Sequence, residues 1–261
     1  MDSLGELIPD KYELNARLRP ALLLLLPAIL VALVWLPQLR TMGGVVLTLA
    51  VTCGVTYFLS QVARRRGLAL EKAWGDAIGR RHSARLLKHD DDTIRGTIKQ
   101  RIVDLVREFG PGFPSPAEEA ADPDTSRDRR IDAVEWLLEV TRADAQASLL
   151  LAENIAYGFW RNLRGLKPIG LIVAFAALGI DASLLFGGNA DGDTRTYAMA
   201  AGGYCLLAIL VWLFQVTRRQ VEQSSLIYAQ RLFAQADNPA LRARLSDGRV
   251  PAQGKGKKKG K

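Results

Sequence analysis

Glu153, Asn154, Tyr157, Arg161 and Asn162 bring a carboxylate, two amides, a phenol and a guanidinium into one short stretch. On a helix, Glu153, Tyr157 and Arg161 line up at i, i+4 and i+8, and Asn154, Gly158 and Asn162 line the adjacent face. Such a face can bind a ligand or a neighbouring helix. It holds no nucleophile beside a base, so it does not read as a catalytic centre. Its surroundings also fit a plainer role. Tyr157, Phe159 and Trp160, followed by Arg161, Arg164 and Lys167, form the aromatic and cationic belt of a helix entering a membrane. The two readings are compatible.

Asp181 is the second polar feature, because it is the one charge in residues 168–190. A carboxylate inside an apolar helix costs about 2.5–3.5 kcal/mol on the insertion scale. Thr48 or Thr52, or Arg40 or Arg195 near an outer interface, are its expected structural partners. The functional alternative is an ion- or proton-conducting role, which needs a ring of such residues from several copies. His89-Asp90 has the form of a metal pair, but the only other histidine is His82. Phosphate-binding glycine loops, the serine elbow and the zinc-helix motif are all missing from the sequence. Cys53 and Cys205 lie in apolar runs and read as packing residues. No catalytic residue, metal or cofactor is therefore expected.

The elements that must position these residues are apolar. Residues 20–39, 41–63 and 197–217 carry no charge at all. With 168–190 they make four stretches long enough to cross a hydrocarbon core of about 30 Å. The fold class expected is all-α, with two transmembrane helical hairpins flanking a helical cytoplasmic domain. Acidic residues precede the first stretch and no small-residue cleavage site follows it, so it reads as a retained helix rather than a signal peptide. Arg17 and Arg19, Arg64, Arg65 and Arg66, Arg161, Arg164 and Lys167, and Arg218 and Arg219 flank the stretches on one side. The positive-inside rule then places both termini and the middle segment in the cytoplasm of a bacterial inner membrane. The expected divisions are a cytoplasmic N-terminus over 1–19, hairpins over 20–62 and 168–217, and the helical domain over 63–167. A C-terminal helix over 218–248 and a basic, disordered tail over 249–261 complete them.

Within 63–167 the spacing predicts a helix continuing from the second span through residue 87, weakened at Gly75 and Gly79, with any break near Gly79. A second begins at Asp90-Asp91-Asp92-Thr93. A short one is capped by Ser115 with Glu118, and a long one runs from about 127 to 164. The fourth span should continue as a helix to about residue 236. Lys255, Lys257, Lys258 and Lys259 in the tail, with the Arg64–Arg66 run, Arg164 and Lys167, suit anionic lipid headgroups. No aromatic side chain interleaves with the tail lysines, which argues against nucleic acid.

The run Glu153-Asn154-Ile-Ala-Tyr157-Gly158-Phe159-Trp160-Arg161-Asn162-Leu-Arg164-Gly165-Leu-Lys167-Pro168 resembles a motif of an uncharacterised bacterial four-transmembrane-helix family. That motif reads Glu-Asn-x-x-Tyr-Gly-Phe-x-Arg-Asn-Leu-x-Gly-Leu-Lys-Pro and precedes the third span. The resemblance extends loosely to Trp74-Gly75, residues 85–90 and 116–123. It departs at Asp76-Ala77-Ile78, where a Gly-Pro-Thr-like turn is expected. It implies the four-span architecture and no activity.

The expected function is a non-enzymatic membrane effector or regulator, in which the cytoplasmic domain senses a protein or small ligand and the bundle responds, in the manner of an oligomeric pore or a defence-type effector. A scaffold that recruits a cytoplasmic partner is the alternative, and a membrane-bound enzyme the third. Expected partners are the bilayer and its anionic lipids, further copies of the chain, and a cytoplasmic protein or small ligand.

Overall fold

The computed structural model describes residues 11–142 and 148–248. Every regular element among them is a helix. Four helices are long and apolar enough to cross a membrane. They are α1 (Lys11–Trp35), α2 (Met42–Trp74), α7 (Ser148–Phe186) and α8 (Gly192–Phe214). The remainder are α3 (Gly79–Leu86), α4 (Gly96–Phe109), α5 (Pro116–Ala121), α6 (Pro123–Thr141), α9 (Arg218–Ala234) and α10 (Pro239–Ser246).

The chain divides into two compact units. One comprises 1–78 with 151–225, the other 79–150 with 226–261. These seams differ from the expected membrane boundaries at 62/63 and 167/168. The ends of α2 and α7 beyond the apolar stretches pack with the long helices, so compactness and hydropathy divide the chain differently.

In the first unit, α1 contains a π-helical turn at Leu14–Leu18, just before Pro20. Pro20 has no N–H to give to the Ala16 carbonyl four residues back, which leaves that acceptor open. The helix then runs through Pro27 to Trp35. Arg40 in the following turn donates to the Leu33 and Val34 carbonyls at 2.8 and 2.5 Å, satisfying the end of α1. The Thr41 hydroxyl accepts the Gly44 N–H at 3.1 Å and starts α2. At about 1.5 Å per residue, the 33 residues of α2 and the 39 of α7 far exceed a hydrocarbon core. Helix α7 passes unbroken through Pro168.

Two apolar clusters hold this unit together. Leu24, Ala63, Leu163, Leu166, Trp212 and Val216 form one, and Val31, Ala177, Ala201 and Cys205 the other. Glycines set the closest approaches. A Cβ on Gly165 would lie 2.9 Å from the Gly67 nitrogen, and one on Gly170 would lie 2.5 Å from the Trp212 ring. The outward faces stay apolar, with Phe58 66%, Ile172 68% and Phe175 55% exposed.

The local expectations need four corrections. Helix α2 ends at Trp74, before Gly79, because Gly75 takes φ 53° and a 3-10 turn follows. The acidic run does not start α4. The Asp91 carboxylate accepts the Thr93 N–H at 2.9 Å in a turn, and the helix begins at Gly96. The single helix expected over 127–164 does not form as one: α6 ends at Thr141 with a turn at Arg142, and α7 is described from Ser148 onward. The fourth span does not continue into α9, because the helix breaks over residues 215–217. The short capped helix is observed as α5.

The second unit is built on those caps. Ser115 accepts the Glu118 N–H at 3.2 Å, and Glu118 accepts the Ser115 N–H at 2.7 Å. These bonds and Arg129 hold the Glu118 carboxyl well below its usual range, at about 2. Asp122 accepts the Thr125 N–H at 3.1 Å to start α6, and the bond lowers its own proton affinity. Buried Arg130 and Glu119 pair at 3.0 Å. Ile102, Leu105, Val106, Leu137 and Leu241 fill the interior.

Candidate functional site

The polar residues of α7 meet α1 and α2 within the first unit. Arg161 lies beneath the apolar stretch of α7, and its Nη1 donates to Glu71 Oε2 at 2.5 Å. Its guanidinium also sits 5.4 Å from the centroid of the Tyr157 ring. Both charges are shielded, with side chains 11% and 26% exposed. Breaking a shielded pair of this kind costs more than making it gains, because the remaining charge has lost its water.

Asn162 is fully buried and donates through Nδ2 to the Ala16 carbonyl at 2.7 Å. This is the carbonyl that Pro20 leaves without its helical partner, so one proline explains both the π turn and the need for a buried amide. The Asn162 Oδ1 has no partner among the described residues. It faces Gly67, where a Cβ would come within 2.3 Å. Gly158 similarly makes room for the Tyr12 hydroxyl, 2.6 Å from where its Cβ would stand.

The structure therefore brings Tyr157, Arg161 and Asn162 together with Tyr12, Gly67 and Glu71. Glu153 and Asn154 share their helix but stand outside this cluster. The carboxylate that meets Arg161 comes from α2. Sequence reasoning missed Glu71 because its signal is long-range. Gly67 was visible as a small residue at helical spacing from Ala63, but nothing in the sequence paired it with Asn162.

Asp181 is 2% exposed, and its Oδ1 accepts the Trp35 indole N–H at 2.7 Å. Gly202 leaves space for it, since a Cβ there would lie 2.9 Å from Oδ2. The expected partners Thr48 and Thr52 do not hold it. Thr48 Oγ1 is itself without a partner among the described residues, and Arg40 is engaged by carbonyls of α1.

Of the basic residues, Arg64, Arg65 and Arg66 are exposed on one turn of α2, and Arg164 is half-buried. Lys167 instead closes the end of α8, donating to the Leu213 and Val216 carbonyls at 3.0 and 3.1 Å. Lys255, Lys257, Lys258 and Lys259 lie outside the described residues. In the second unit, His89 Nε2 lies 3.1 Å from the Pro114 carbonyl and its ring meets Phe113 edge-on. Among the described residues, no three His, Cys, Asp or Glu side chains are grouped to hold a metal ion.

No family model matches the chain, and neither the curated proteins nor the solved structures contain a match.

Proposed function

We propose that the chain is a non-enzymatic, multi-pass protein of a bacterial inner membrane, whose helical second unit regulates the permeability of a four-helix bundle. Four apolar helices with large side chains on their outward faces support the membrane setting. In water such faces would form apolar patches far beyond those of soluble monomers. In a bilayer they are the lipid-facing surface, and Arg64, Arg65 and Arg66 lie at the level of anionic headgroups. Both termini and the second unit are then cytoplasmic. Pore formation proceeds through association of several copies.

The observation that carries the regulatory reading is the Glu71–Arg161 pair with its Asn162–Ala16 neighbour. It ties both hairpins together close to where the chain leaves α2 for the second unit and returns into α7. A ligand or protein acting on the second unit would reach the bundle through those two helices. The test is potassium and chloride flux from vesicles reconstituted with the purified full chain. Wild-type flux above that of protein-free vesicles, altered at least fivefold by Glu71→Gln and by Asp181→Asn, is expected. Flux equal to protein-free vesicles, with the chain monomeric or crosslinked into oligomers, would overturn the reading.

A further inference from the structure

The inward face of α2 is unlike the other inward faces of the first unit. Gly44, Thr48, Thr52, Thr56 and Ser60 recur every fourth residue and are buried or half-buried, while Val46, Leu47, Leu49, Val51, Tyr57 and Phe58 are exposed. The helix turns hydroxyls into the bundle and large apolar groups outward. Residues at i and i+4 are neighbours on a helix, so the hydroxyls follow one another in a shallow spiral. From Thr48 to Ser60 the line extends about 18 Å, at about 1.5 Å per residue.

Two of these hydroxyls are not used by the fold. Thr48 Oγ1 and Thr56 Oγ1 are buried and have no hydrogen-bond partner among the described residues. Thr56 as a whole is only 8% exposed. A helical Ser or Thr normally satisfies itself on the carbonyl four residues back. This chain does so elsewhere, with Ser183 donating to Gly179 at 2.7 Å and Thr196 to Gly192 at 3.2 Å. Thr48 and Thr56 leave that bond unmade. Along the same face, beyond Ala63 and Gly67, the line reaches the unpartnered Asn162 Oδ1 and then the Glu71–Arg161 pair.

We infer that this line of hydroxyls binds a single file of water and carries protons across the bundle, with Glu71 at its cytoplasmic end. The inference rests on the reading of these helices as membrane spans. Each hydroxyl or water accepts a proton on a lone pair and releases its own to the next oxygen, so one proton enters and one leaves with no other change. Between Thr48 and Ser60 the line carries no charged side chain. It offers a potassium ion no countercharge, and the selectivity is for protons.

The experiment uses vesicles containing the full chain, a pH-sensitive dye inside, and a potassium diffusion potential as the driving force. Wild-type vesicles should acidify at least tenfold faster than protein-free ones. A Thr48→Val, Thr56→Val double variant keeps the shape but removes both hydroxyls, and should lose at least nine-tenths of that rate. Thr48→Ser, Thr56→Ser should retain most of it, and Thr196→Val should leave it unchanged. Proton flux equal in the wild type and the valine variant, with matching helicity and monodispersity, would overturn the proposal while leaving regulated permeability standing. Wild-type vesicles no leakier to protons than protein-free ones would also overturn it, and the potassium and chloride measurement then decides the broader reading separately.

Discussion

Arg161 meets Glu71 on a different helix, and this long-range contact decides what the α7 cluster does. Glu153 could not supply that carboxylate, since two full turns separate it from Arg161 on the same helix. The types needed for a buried polar site were legible in the sequence at Tyr157, Arg161 and Asn162. Their partners were not, because Glu71 and the Ala16 carbonyl are distant in the chain. Removing Glu71 strands a guanidinium whose side chain is only 11% exposed. Glu71→Ala should therefore lower stability by about 1–3 kcal/mol, the uncompensated desolvation of one group. Adding Arg161→Leu to Glu71→Ala should recover part of that loss. Thermal unfolding of the two single variants and the double variant, all in one detergent, checks it. Strict additivity would mean that the two side chains do not interact.

At the level of elements, the local cap at Ser115 was read correctly, while the acidic run at 90–92 made a turn instead of a helix start and breaks set from a distance were missed. The box at Ser115 and Glu118 was readable because all its atoms lie within four residues. The break after Phe214 was not, since Lys167 on another helix closes the open carbonyls of α8. Pro168 removes one helical hydrogen bond, yet α7 continues through it, with Leu163, Leu166 and Ile169 packed into the bundle on both sides of the proline. The caps also make a pH prediction. Glu118 falls from 4.5 to about 2 on folding, and Asp122 shifts in the same direction. A carboxyl with a lowered folded value stabilises fully above its unfolded value and loses that effect as pH falls toward the folded one. Amide exchange in α5 and the first turn of α6 should therefore quicken as pH drops from about 4.5 toward 2, after correction for the intrinsic rate. In Glu118→Gln this acid-sensitive component should shrink.

Over the whole molecule, the balance of charge and apolar surface has one consistent explanation. The net charge of +8 comes from the segment after residue 217, while the rest of the chain is neutral overall. The long helices bury apolar clusters together with small and polar side chains, and they also show Leu, Val and Phe outward, unlike the outer faces of a soluble bundle. The four apolar helices were legible from charge-free runs alone. Of the inward polar features, Asp181 was legible only as an anomaly, Asn162 only as one polar position of a face, and Thr56 not at all, since nothing local says which way a helix turns. The regulatory account requires these helices to cross the bilayer with their two short connections on one side and the second unit on the other. Single cysteines placed in a chain lacking Cys53 and Cys205, probed in intact cells with a membrane-impermeant maleimide, test this directly. Gln38→Cys and Asn189→Cys should label from outside, and Lys88→Cys and Arg127→Cys only after the membrane is opened. Labelling of Lys88→Cys or Arg127→Cys in sealed cells, or of Gln38→Cys and Asn189→Cys only after permeabilisation, would contradict the account.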